Sequence, residues 1–150
     1  QELFYPRKKN ESLIENYELK NKFVISYVGA HGISQNLSTI LKVAEDLSED
    51  TTIQFLFIGE GAEKDQLKKI VSEQHINNVR FIDSQSKEMI PEFYSISDVC
   101  LIPLKNIELF KTFIPSKMFE IMACGIPIVA SLEGEAADIK RIKSSYGCST

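Results

Sequence analysis

The residues Pro115-Ser116-Lys117-Met118-Phe119-Glu120 put a helix start, a cation and a carboxylate close together, a spacing that suits a ligand with phosphate at one end and hydroxyls at the other. Pro115 and Ser116 are residue types that begin helices, and the free backbone N–H groups of a first helical turn form a ready anion site. Lys117 adds a positive charge there. Glu120 follows on a helix that is otherwise apolar nearly all round, through Met118, Phe119, Ile121, Met122 and Ala123. A carboxylate on such a buried helix is costly unless it is paired or hydrogen-bonded, and a vicinal diol such as that of ribose offers it two hydrogen bonds. A nucleotide has both ends. The same residues also fit a plainer arrangement, a first-turn glutamate on the helix dipole beside a solvated lysine, and spacing alone does not choose between the two.

The other candidates are weaker. Gly29-Ala30-His31-Gly32 has two glycines where backbone can approach a ligand, but it lacks the full Gly-x-Gly-x-x-Gly of a dinucleotide site. His31 either donates to a phosphate or sugar hydroxyl or stands exposed in the loop. Gly59-Glu60-Gly61 reads as a strand-to-helix turn, His75 as a helix C-terminal residue, and Gly134-Glu135 as a first-turn carboxylate or a donor-site residue. Two histidines and the distant cysteines Cys100, Cys124 and Cys148 give no metal-ligand spacing, and no Gly-x-Ser-x-Gly elbow marks a hydrolase.

The elements that must position these residues alternate. Phe23 to Val28 (FVISYV) reads as a strand buried on both faces. Leu37, Ile40, Leu41, Ala44 and Leu47 then fall on one helical face. A second strand at Ile53 to Ile58 leads to a charged helix over 62–74, and a short strand at Val79 to Ile82 leads to a helix over 87–96. A fourth strand over 98–102 is stopped by Pro103, and a polar loop over 105–115 leads to the helix opened by Ser116. Gly125 is placed to end that helix in the left-handed conformation. A fifth strand over 127–131 and a last helix over 135–143 complete the series. Five strands alternating with helices demand a parallel sheet covered on both faces. The fold class is α/β, a Rossmann-like doubly wound parallel sheet, whose ligands bind beyond the carboxyl ends of the strands at the switch point. Residues 1–21 have little periodicity and read as an interdomain linker or stub, leaving 22–150 as the domain.

The 150 residues are 43% apolar and 25% charged, ordinary for a soluble globular domain and not for a disordered tail or fibre. A net charge of −4 argues against a nonspecific nucleic-acid grip. Unpaired cysteines in apolar runs point to a reducing cytoplasm, and no run approaches the ~18 apolar residues of a membrane span. The chain lacks an initiator Met and stops after Gly147-Cys148-Ser149-Thr150, so it reads as a piece of a longer protein, with the domain truncated at its C-terminal end.

The stretch from Pro115 through Ala123-Cys124-Gly125-Ile126-Pro127-Ile128-Val129-Ala130-Ser131 resembles the donor-binding, C-terminal domain of the GT-B glycosyltransferases, specifically the large retaining family numbered four, in the helix and in the "A-x-G-x-P-V-V-A" that follows it. Matches at Phe57-Ile58-Gly59-Glu60-Gly61, Asn78-Val79-Arg80-Phe81, Ser97-Asp98-Val99-Cys100-Leu101-Ile102-Pro103 and Glu133-Gly134-Glu135 extend the resemblance over about residues 23–140. It implies one half of a GT-B fold, in which this half binds a nucleotide sugar, UDP-linked, and a missing N-terminal half binds the acceptor. Glu120 would then be the second Glu of the family's Glu-x7-Glu motif and hold the ribose hydroxyls. Ser116, Lys117 and Met118 would meet the diphosphate, with Gly32 and His31 in the first loop. The loop of Asp83, Ser84 and Gln85 would flank the base.

Departures qualify this. Thr112 stands where the motif's first Glu belongs, so Thr112 with Phe113 would accept a less hydroxylated, more apolar sugar. The family's Arg and Lys after the first strand fall on Ala30 and Gln35, leaving Lys117 as the cation for the diphosphate. The pattern Gly29-x-x-Gly32-x-x-Gln35-x-Leu37 with Pro115-Ser116-Lys117 looks like a bacterial subgroup that transfers modified sugars, often N-acetylated 6-deoxyhexosamines, onto lipid-linked intermediates of surface polysaccharide such as capsule or lipopolysaccharide. The implied location is the cytoplasm, peripheral at the inner face of the membrane through the missing domain. No metal and no cofactor is expected, and no catalytic residue is assigned within the chain. Two alternatives stand beside this one: a nucleotide-sugar 2-epimerase of the same fold and a non-catalytic nucleotide-binding module.

Overall fold

The side-chain alternation of the first two strands decides the layering. The computed structural model describes residues 3–32, 37–102 and 116–129. Strand β1 (Phe23–Val28) is buried at every position, and β2 (Ile53–Ile58) pairs with it in parallel from Phe23 opposite Ile53 to Val28 opposite Ile58. Because successive side chains point to opposite faces, Ile25, Tyr27, Phe55 and Phe57 enter one core cluster, and Val24, Val28, Leu56 and Ile58 enter another.

Helices α2 (Leu37–Asp46) and α3 (Lys64–Glu73) cover the first face through Ile40, Leu41, Ala44 and Leu67. The second is covered by α1 (Glu11–Asn16), α4 (Ile90–Ser95) and α5 (Ser116–Ala123) through Leu13, Phe93, Tyr94 and Ile121. With β3 (Val79–Ile82), β4 (Val99–Leu101) and β5 (Ile128–Val129), the parallel sheet has the order β3-β2-β1-β4-β5. The chain runs from β1 out to β3 and then returns to the other side of β1. The switch point therefore lies between the carboxyl ends of β1 and β4, where such sheets take ligands. This is the doubly wound α/β fold expected from the sequence.

The differences are local. The helix expected over 87–96 is limited to Ile90–Ser95, with Pro91 in its first turn. Gly125 follows α5 at φ 77, the left-handed value expected of it. The helix over 135–143, Gly134-Glu135 and Cys148 lie outside the described residues.

The segment before β1 contains a helix that periodicity does not announce, since a helix of six residues is too short to display a stripe. The Asn10 side chain caps it by accepting from the Leu13 N–H at 3.0 Å. Leu13 and Leu19 are buried against the second face. The segment is tied to α4: Arg7 donates to Glu92 at 2.6 Å, the Asn10 amide donates to Glu92 at 3.0 Å, and the Asn10 N–H donates to the Ser95 hydroxyl at 3.2 Å.

The hydrogen bond from Asn10, with that from Arg7, holds the Glu92 carboxyl below its ordinary range against the opposing effect of burial. A depressed carboxylate contributes stability above its unfolded pKa and loses it as pH falls through the folded value. Glu92→Gln should therefore cost about 1–2 kcal/mol near neutrality and speed amide exchange in the first twenty residues. Between about pH 6 and pH 3 the melting temperature of the variant should fall less than that of the unaltered chain. Equal falls would show that this carboxylate does not secure the segment.

Candidate functional site

At the carboxyl edge of the sheet the loops after β1 and β2 interlock. The Gly29 N–H donates to the Ile58 carbonyl at 2.9 Å, the His31 N–H to that of Glu60 at 2.8 Å, and the Glu63 N–H to that of His31 at 2.8 Å. The approach leaves no room for side chains: a Cβ on Gly59 would lie 2.0 Å from the Gly29 carbonyl oxygen, and one on Gly61 would lie 2.5 Å from the His31 carbonyl. The Gly-Glu-Gly turn is thus a turn, as its sequence suggests, but its glycines answer to the neighbouring loop.

Lys64, at the start of α3 and 5% exposed, fastens the third loop to these two. Its ammonium donates to the Gly59 carbonyl at 2.9 Å, to Glu60 at 2.9 Å and to Asp83 at 3.1 Å. Burial alone would push the Lys64 pKa down, but the hydrogen bonds to Glu60 and Asp83 outweigh it and leave the pKa raised. The Asp83 carboxyl is in turn held below its ordinary value, chiefly by its hydrogen bond with Lys64.

Lys117 enters from α5, and its ammonium donates to the Val28 carbonyl at the end of β1. It lies 5.9 Å from the centroid of the Tyr27 ring, and a Cβ on Gly29 would stand 2.5 Å from its nitrogen. Burial pushes the Lys117 pKa down, and the nearby Glu120 charge partly restores it. The Tyr27 hydroxyl donates to the Ala30 carbonyl at 2.7 Å, and burial raises that phenol to about 12. A cation and a phenol from different elements thus hold the loop after β1 in one shape.

These loop ends surround a cavity of about 380 Å³. Gly29 and Ala30 line it from the first loop, Gly59 and Glu60 from the second, Ser84 and Gln85 from the third, and Lys117 and Glu120 from α5. Val28, Ile58, Ile90 and Tyr94 give it an apolar floor. Glu120 is half-buried and makes no ion pair among the described residues. The lining brings a cation, a carboxylate that can accept and an apolar surface together.

Of the residues singled out in the sequence, Lys117, Glu120 and Ser84 line this cavity together. Ser116 begins α5, and Met118 packs its side chain against the core of the second face. Gly32 follows the buried His31 and is not one of the lining residues. His31 is not an exposed loop residue. Its backbone bonds to the second loop draw it to 0% exposure, among the rings of Tyr27, Phe57 and Phe81. Its Nδ1 lies 3.1 Å from the Gly29 carbonyl oxygen, and burial pushes its pKa down. His75 takes φ 55 after α3, in keeping with a helix-terminal role. Thr112 and Phe113 lie outside the described residues.

Sequence reasoning missed Lys64, Tyr27 and Tyr94. The Glu60 and Lys64 spacing of four was the only available signal for the first, and the two tyrosines read simply as core. Among the described residues no group of three or more His, Cys, Asp and Glu could hold a metal ion, and no helix is long and apolar enough to cross a membrane.

The sequence pattern of the family described as Glycosyl transferases group 1 matches residues 9–141. The putative colanic acid biosynthesis glycosyl transferase WcaI of Escherichia coli K12 is 28% identical over 113 residues, which are 75% of this chain and 27% of that protein. The probable glycosyltransferase WbjE of Pseudomonas aeruginosa is 30% identical over 146 residues, 97% of this chain and 36% of that one. The chain thus spans about a third of the length of these curated relatives. Among solved structures, the C-terminal domain of the group 1 family protein LpcC from Francisella tularensis superimposes with a TM-score of 0.75 at 15% identity, covering 98% of this chain and 88% of that one. The Anabaena protein Alr3699/HepE, solved with UDP and glucose, gives 0.74 at 16% identity over 92% of this chain and 43% of that one. At those identities the likeness concerns the fold.

Proposed function

The chain belongs to the group 1 glycosyl transferases, and from that premise we propose that it is the nucleotide-sugar-binding half of a retaining enzyme, taking a UDP-linked donor for transfer to a lipid-linked or saccharide acceptor. The observation that carries this is the meeting of Lys117 and Glu120 with the glycine-lined loop ends in one cavity at the switch point. Backbone amides and the Lys117 ammonium suit a diphosphate. The Glu120 carboxylate accepts from two ribose hydroxyls, and the apolar floor with Ser84 and Gln85 takes the base. The UDP and glucose in the HepE structure support the choice of nucleotide.

In this proposal the acceptor-binding half lies elsewhere in the protein, at the inner face of the membrane, and residues 1–21 belong to the connection. The colanic acid biosynthesis in the name of WcaI supports a role in polysaccharide assembly, and the pattern around Gly29 and Gly32 with Pro115-Ser116-Lys117 is what suggests an N-acetylated 6-deoxyhexosamine as the transferred sugar. Transfer needs both halves, because positioning the acceptor and excluding water at the anomeric carbon require a second wall to the cleft. The isolated chain binds without turning over.

Calorimetry with UDP tests the assignment. The chain should bind UDP, and Lys117→Ala should weaken binding about tenfold, the worth of one charge-assisted contact, with a shallower dependence on salt. A folded chain that ignores UDP, or a Lys117→Ala variant that binds as well as the unaltered chain, would overturn it.

A further inference from the structure

Every buried serine hydroxyl among the described residues has a partner: Ser26 and Ser97 meet at 2.6 Å, Ser97 also donates to the Phe93 carbonyl, and Ser95 donates to that of Glu92. Among the buried hydroxyls of the described residues Tyr94 is the exception. Its side chain is 0% exposed, and its Oη is buried without a hydrogen-bond partner. Leaving a buried donor unpaired is unfavourable, and native structures rarely tolerate it without a reason. Packing does not supply one, because the ring alone makes the contact with Phe4 at 6.3 Å and fills the core of the second face. Phenylalanine would do the same without an idle oxygen. Among the described residues three other buried side-chain atoms lack partners, on Arg7, His31 and Asn78, but none of those residues lines the cleft, whereas Tyr94 lines it together with Glu120.

We infer that the Tyr94 hydroxyl is a ligand-contacting, specificity-determining group that donates a hydrogen bond to the ribose hydroxyl whose proton Glu120 accepts. The inference rests on the nucleotide-binding reading above and adds a second polar anchor to it. The donor order is chemically closed: a phenol donates to an alcohol oxygen, the alcohol donates onward, and a carboxylate only accepts. Burial keeps the Tyr94 proton in place by raising its pKa well above the ordinary phenol value, and the neighbouring Glu120 charge adds to that. The ligand supplies the partner that the folded chain withholds, so the cost of the idle hydroxyl is relieved on binding. Such a site rejects an analogue that lacks the hydroxyl, because two protein groups would then be left unsatisfied.

Tyr94→Phe separates this from a structural role by sign. The variant should melt at the same temperature as the unaltered chain or higher, while its affinity for UDP falls about fivefold to tenfold. The unaltered chain should prefer UDP to 2′-deoxy-UDP or 3′-deoxy-UDP, and in Tyr94→Phe that preference should shrink by a similar factor. Unchanged UDP affinity would overturn the inference, as would a lower melting temperature with the ribose preference intact. If Glu120→Ala loses UDP and Tyr94→Phe does not, the nucleotide site stands and the Tyr94 contact falls. If the folded, unaltered chain does not bind UDP, both fall together.

Discussion

Replacing Glu120 with alanine should reduce UDP binding by about a hundredfold or more while leaving the chain folded. Two hydrogen bonds from hydroxyls to a carboxylate are worth about 3 kcal/mol together, which is roughly that factor. The fold has little stake in the carboxylate. Glu120 is half-buried between the core-facing Ile121 and the exposed Phe119, and it pairs with no cation among the described residues. Alanine is also the better helix former. Circular dichroism with a thermal melt checks the fold, and calorimetry checks the binding. A variant that remains folded and retains UDP affinity within about twofold would remove Glu120 from the site.

The largest effect on the fold should come from Gly59→Ala. A Cβ there would stand 2.0 Å from the Gly29 carbonyl oxygen and 3.0 Å from its carbon, both backbone atoms just past the end of β1. Gly59 also has φ 146, a value L side chains rarely adopt. Relief requires the loops to part, which strains the bonds from Gly29 N–H to Ile58 and from Gly59 N–H to Ile82. We expect a loss of about 3 kcal/mol or more, a fall in melting temperature of roughly 10 °C for a domain this size, and no UDP binding.

Gly125→Ala is the control. Its φ of 77 carries the left-handed penalty, yet its nearest neighbour would be a Pro6 side-chain carbon at 3.7 Å. That loss should be about 1 kcal/mol. Equal melting temperatures for the two variants would show that the interlocked loops are not the reason for glycine at 59.

The sequence carried the fold well because its strands are buried on both faces. A run such as Phe23–Val28 has few other uses, and alternation with amphipathic helices restricts the topology to a parallel sheet. Less legible was anything set by backbone approach between loops. His31 looked exposed because its two neighbouring glycines suggest an open loop, whereas hydrogen bonds to Glu60 and Glu63, far along the chain, pull it into the interior. The N-terminal helix escaped notice because a single capped turn and a half has no period, and its docking depends on Glu92, which is remote in sequence.

The candidate site divides in the same way. Lys117 and Glu120 stood out because a cation and a carboxylate lie close together at the head of an apolar helix; their spacing also fitted a first-turn glutamate beside a solvated lysine, and it is their shared place in the lining of one cavity that favours the ligand reading. Tyr94 and Lys64 were not, since a tyrosine in an apolar stretch reads as core and a lysine in a charged helix reads as solvated. Their significance comes from burial, which strand and helix periodicity cannot supply for a single residue.

The nucleotide is proposed to enter this cavity, at the switch point between β1 and β4. Amide chemical-shift mapping on a chain of 17.0 kDa, labelled with nitrogen-15 and titrated with UDP, locates where it binds. The perturbed amides should cluster at Gly29, Ala30, Gly59, Glu60, Ser84, Gln85, Lys117 and Glu120. Perturbations confined to α1 or the outer faces of α2 and α3, or no perturbation of a folded chain at saturating UDP, would contradict this placement.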